Sequence, residues 1–192
     1  MEEQQKKSDS RDVTAEVVNI TQGGARNVQG THVTLRQAGA QSVTADDLVI
    51  RQGGIVKAQA DNLEMLQGGI VLARAEKASL TASQAGAVLS DGNVTMEQSG
   101  AQMLLTRGDV TMDQSGTVAM WARDVTLDQS GAVALWARNV KTENSGTVFL
   151  FANQVEGTVN NAFGPRESVI FGMVAGAVAG LVLLLAKLSR RE

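Results

Sequence analysis

Cysteine and tyrosine are absent from this 192-residue chain, and proline and histidine occur once each. Without cysteine there are no disulfides, iron–sulfur clusters or thiolate zinc sites, and the redox compartment stays open. A lone histidine, His32, argues against histidine-based metal or triad chemistry. Aromatic residues make up only 3% of the chain. Compact cores usually fill volume with large rings, so this core is expected to be thin and built of Val, Leu, Ile, Met and Ala. The net charge of −3 gives no reason to expect a nucleic-acid partner. Also missing are a nucleophile-elbow serine motif, a phosphate-binding glycine loop ending in Lys-Ser/Thr and a zinc-binding His-Glu-x-x-His. No enzyme activity, cofactor, metal or small-molecule substrate is therefore expected.

Glycine, by contrast, is abundant, and it recurs at Gly24, Gly39, Gly54, Gly69, Gly86, Gly100, Gly116, Gly131 and Gly146. The intervals are 15, 15, 15, 17, 14, 16, 15 and 15 residues, and a period sustained over nine copies is the signature of a solenoid. Two residues before each glycine stands an amide: Gln22, Gln37, Gln52, Gln67, Gln84, Gln98, Gln114, Gln129 and then Asn144. Within a copy the apolar residues are spaced by two and three, Val and Thr are frequent, and glycine recurs too often for helix. Alternating runs such as Val125-Leu127 and Val133-Leu135-Ala137 are broken by "SG" on one side and "RD" or "RN" on the other. Each copy is thus two short strands and two corners. A meander would set equivalent residues roughly 10 Å apart, whereas a parallel β-solenoid stacks them at about 4.8 Å. Identical amides stacked at the closer spacing satisfy one another, which favours the solenoid and predicts a ladder through Gln98, Gln114, Gln129 and Asn144. The expected fold class is all-β: a parallel solenoid of about nine 15-residue coils over residues 13–159, roughly 45 Å long.

Short Val/Leu/Ala coils with recurring glycine ("VTLDQSGAVALWARN"), a polar leader and no enzyme motif resemble the bactofilins, bacterial polymer-forming β-helix proteins. Coils in that family usually contain three strands, so those here are shorter. The resemblance covers residues 13–159 and implies end-to-end polymerisation without nucleotide and a membrane-associated scaffold role.

Outside the repeats, residues 1–12 are polar and are expected to be disordered, with no secretory signal peptide. Residues 160–168 form a linker containing the only proline. Val169 to Ala186 is uncharged over 18 residues, about 27 Å as a helix, and is expected to be a single transmembrane helix and tail anchor, followed by a basic tail at 187–192. Gly172, Gly176 and Gly180 fall at spacing four and predict a smooth self-association strip on that helix. Lys187, Arg190 and Arg191 point to a cytoplasmic C-terminus and an external solenoid. Translocating some 165 residues without a signal peptide argues the other way, so a cytoplasmic solenoid is expected.

Along the second strand of each copy the outward residues change from polar (Asn27 and Gln29, Lys57 and Gln59) to apolar. Trp121, Trp136 and Phe151 should form an outward aromatic column, suited to the bilayer interface or to packing of one solenoid on another. Glu97, Asp113, Asp128 and Glu143 share one repeat position, occupied earlier by Arg36 and Arg51, and read as a solvated edge. The expected function is a tail-anchored, self-associating structural scaffold that forms filaments, with a surface-displayed binding or adhesion module as the alternative. Its expected partners are the lipid bilayer and further copies of itself.

Overall fold

The computed structural model describes residues 12–161, and these form one parallel β-solenoid of about nine coils with no helix among them. The leader up to Arg11, most of the linker, the apolar segment with Gly172, Gly176 and Gly180, and the basic tail lie outside the described residues, while Asp12, expected in the disordered leader, opens the first strand.

Every strand pairing is parallel and joins residues one coil apart. One face stacks the longer strands: β1 (Asp12–Thr14), β3 (Gly23–Gln29), parts of β5 (Ala38–Thr81), β6 (Gln84–Ser90), β8 (Gly100–Thr106), β10 (Gly116–Trp121) and the start of β12 (Gly131–Asn161). The opposite face stacks the shorter strands β2 (Val17–Ile20), β4 (His32–Arg36), β7 (Val94–Glu97), β9 (Val110–Asp113) and β11 (Asp124–Asp128), together with the remaining parts of β5 and β12. Each coil therefore offers its unpaired edge to the next, which explains why one coil alone has little stability.

The core is a single narrow layer between the faces. Each short strand sends two residues inward, such as Val94 with Met96 and Val125 with Leu127. The long strand does not alternate throughout. In Gly100–Thr106 the inward residues are Ala101, Leu104 and Thr106, so Gln102 and Met103 both face out. The expected alternation through Val133, Leu135 and Ala137 fails for the same reason: Ala132 and Leu135 are buried, whereas Val133 is exposed. This one-residue kink lets a strand of seven residues wrap a core only one side chain deep. Among the described residues the largest fully buried side chains are Leu, Ile, Met and Val, with no aromatic among them, as the composition requires.

The register also corrects the glycine count. Gln84, not Gly86, pairs with Gly69 below and Gly100 above. The 17- and 14-residue intervals thus become 15 and 16, and two adjacent coils contain 16 residues. In both, the extra residue is a glycine at the corner after the long strand, Gly92 and then Gly108. A Cβ on Gly108 would lie 2.4 Å from the Gly92 carbonyl carbon, so the two stack too closely for a side chain. Ser90 and Thr106, standing where neighbouring coils have alanine, serve the enlarged corners. The Ser90 hydroxyl donates to the Glu76 carbonyl at 2.7 Å, and the Thr106 hydroxyl accepts from the Gly108 amide at 3.0 Å.

Candidate functional site

Two corners and one face carry the polar and apolar features that could act outside the core. The corner before each long strand is turned by a residue with positive φ: Gln37, Gln52, Gln67, Ala82, Gln98, Gln114, Gln129 and Asn144, at 45–57°. A non-glycine residue is uncommon there, and Asn is among the best tolerated. All eight positions are exposed, so the amide column lies on the surface and not in the core, contrary to a buried self-satisfying ladder. Ala82 takes the position expected for Gln84. In the early coils the side-chain N–H of Gln37 donates to the amide oxygen of Gln52 at 3.2 Å, and that of Gln52 to Gln67 at 3.1 Å. Gln98, Gln114, Gln129 and Asn144 continue the column.

The buried ladder is made of serine. Ser83, Ser99, Ser115, Ser130 and Ser145 each follow the left-handed residue and are at most 7% exposed. The backbone N–H of Ser83, Ser99, Ser115 and Ser130 donates to the hydroxyl of the serine in the next coil, each at 3.1 Å. Each hydroxyl in turn donates to the carbonyl two residues before it, at 2.6–2.8 Å. In the sequence Ser99, Ser115, Ser130 and Ser145 are legible only as the "SG" corner, and Ser83 precedes Gln84 instead. Their signal was the recurrence of serine at one repeat position in five successive coils, from Ser83 to Ser145.

At the opposite corner carboxylates alternate with donors. Asp47 accepts from Asn62 at 2.8 Å and pairs with His32 at 2.9 Å, while Asp124 accepts from Asn139 at 2.6 Å. Arg123 reaches both Asp109 oxygens, at 3.0 and 3.1 Å, and Arg107 pairs with Asp91 at 2.6 Å. Glu97, Asp113, Asp128 and Glu143 stack in register on the exposed end of the short strand. No group of three or more His, Cys, Asp or Glu among the described residues is placed to hold a metal ion.

Among the described residues, most of the exposed large apolar side chains stand on the outer face of the long strands. Trp121, Trp136 and Phe151 are 60%, 41% and 52% exposed and form a stacked column. Ring centroids are 6.4 Å apart for Trp121–Trp136 and 4.9 Å for Trp136–Phe151, with interplanar angles of 19° and 8°. Trp136 has a ring stacked on each side, and all three rings line an open groove. This groove, of about 760 Å³, runs along Arg107, Arg123 and Arg138. The kink described above adds a second exposed column to the same face, including Val118 and Val133. Between Gly86 and Phe151 the outward positions of the long strands hold no charged residue. In the first coils the same positions hold Arg26, Asn27, Gln29, Lys57 and Gln59.

No family model, curated protein or solved structure matches this chain.

Proposed function

We propose that this chain is a membrane-anchored structural scaffold whose solenoid self-associates, acting through surface contact rather than catalysis. The observation that carries the reading is the uncharged outer face of the later long strands, with its exposed, stacked Trp121, Trp136 and Phe151. Contiguous apolar surface of this kind marks a contact region on soluble domains. The uncharged 169–186 segment supports attachment to a bilayer, and the Gly172, Gly176 and Gly180 spacing supports a second route to association within it. A parallel solenoid of about nine turns is compatible with a polymer-forming β-helix of the bactofilin type, and filament formation of that type extends the same reading. The solenoid is assigned to the cytoplasmic side.

Protease added outside intact cells tests the orientation: the solenoid should survive until the cells are opened. Digestion from outside would replace the scaffold with a surface-displayed binding module, the orientation that Lys187, Arg190 and Arg191 favour. Sedimentation of the full chain in detergent tests association. A mass above the monomer is expected, and a monomer at every concentration would remove the scaffold reading.

A further inference from the structure

We infer that the uncharged outer face of the long strands is the surface on which a second copy of this chain packs, sheet against sheet, with the two solenoids parallel. The inference rests on the self-associating reading above and names its contact.

The argument begins with what the face lacks. From Gly86 to Phe151 its outward positions contain glycine, alanine, valine, leucine, methionine, tryptophan and phenylalanine, with Gln102 as the polar exception. A surface without charge can meet a copy of itself with no like-charge cost, so the two copies meet along the later coils and splay apart at the first ones, where Arg26, Lys57 and Arg74 would oppose their own copies. The extent is also adequate. Five coils at about 4.8 Å and six residues at about 3.3 Å give a patch of about 500 Å² per copy, hence about 1,000 Å² for a pair, the size at which specific interfaces begin. An interface at this threshold forms and dissociates with concentration.

The surroundings of the face disfavour a lipid surface as its occupant. Between residues 84 and 157 there are eight Asp and Glu against four Lys and Arg. Arg107 and Arg123, at the rim of the groove, are already paired with Asp91 and Asp109. Faces that bind anionic bilayers carry a surplus of unpaired basic residues at their rim, and here the balance is reversed.

A two-fold axis along the solenoid direction brings equal coils level with each other. The aromatic coils of one copy then meet the aromatic coils of the other, and both chains leave their last coils at the same end, as two copies held in one membrane require. The relation also sets the amide corner of each copy beside the arginine corner of its partner.

The test uses the full chain in phosphatidylcholine vesicles, with Ala134→Cys or Ala87→Cys as its sole cysteine and a short bismaleimide as the probe. Both residues lie in one outward column, three coils apart. Parallel packing predicts a crosslinked dimer from either variant alone. Adding Val118→Lys and Val133→Lys, at positions 54% and 44% exposed, should abolish both crosslinks and weaken association about a hundredfold or more, because four charges enter a dry interface. The circular dichroism spectrum should not change, since neither valine belongs to the core.

Association that survives the lysine substitutions overturns the inference and leaves the scaffold standing. So does crosslinking through Thr111→Cys on the opposite face instead. A chain that is monomeric in every variant overturns both. Quenching of a fluorophore on the Ala134→Cys thiol by nitroxide-labelled lipid would assign the face to the bilayer and likewise overturn the inference.

Discussion

The first four coils and the last five share one topology but close their corners by different means. In the early coils the residue after the left-handed glutamine is Ala38, Gly53 or Gly68, and backbone lies directly on backbone: a Cβ on Gly53 or Gly68 would stand 2.3 Å from the carbonyl oxygen of the coil below. In the later coils that residue is serine, and its hydroxyl is inserted between one coil's amide and its own coil's carbonyl. The early corners are sealed outside by glutamine amides bonded to one another. The outer faces differ in parallel: Arg26, Lys57 and Arg74 stand on it in the early half, beside exposed Val56 and Val71, whereas the later half is apolar and aromatic without a charge. The same backbone thus supports a solvated half and a contact half. Local hydrogen bonds at the corners keep the stacking in register while the outer face is free to vary.

The sharpest way to break this comparison is to transplant one corner into the other half. Gly68→Ser copies the later corner into an early coil and forces a Cβ onto the Gly53 carbonyl, a backbone atom that cannot swing aside. A loss of about 3 kcal/mol is expected in urea unfolding followed by circular dichroism. An unchanged midpoint would show that the early corner already has room for the serine arrangement.

Ser115→Ala should cost somewhat less, about 1–3 kcal/mol in the same assay, because the buried Ser99 amide loses its acceptor. The difference between Ser115→Ala and an alanine at exposed Thr126 isolates the ladder, since the Thr126 change should move the midpoint by no more than about 0.5 kcal/mol.

The smallest effect belongs to the exposed amide position. Gln114→Gly should be neutral or stabilising by a few tenths of a kcal/mol, since glycine relieves a φ of 47°, whereas Gln114→Val should cost about 1–2 kcal/mol. Equal effects from the two would mean that the side-chain amide, not the backbone conformation, holds the corner.

Much of this organisation was legible in the sequence. Periodicity named the fold, because only stacked coils use the same residue types every 15 residues, and the outward positions of Trp121, Trp136 and Phe151 follow from the buried Met120 and Leu135 beside them. The register at Gln84 was hidden because Gln84-Ala85-Gly86 imitates the amide-x-glycine spacing of the true corners. The exposure of the amide column was hidden for a different reason. Which way a corner residue projects depends on φ, and glutamine carries no strong signal for the left-handed region, whereas glycine or asparagine would. The buried serines were visible as residues but not as a ladder, because a hydroxyl reads equally well as a surface group until the coil below supplies the N–H that it accepts.

Both tryptophans of the chain, Trp121 and Trp136, lie on the proposed contact face, so their fluorescence reports on it alone. The most direct test of a contact half is acrylamide quenching of the full chain in one detergent across a dilution series, beside the Val118→Lys, Val133→Lys variant. The account predicts shielding that grows with concentration in the wild-type chain and stays absent in the variant. Equal quenching of both proteins at every concentration would contradict it.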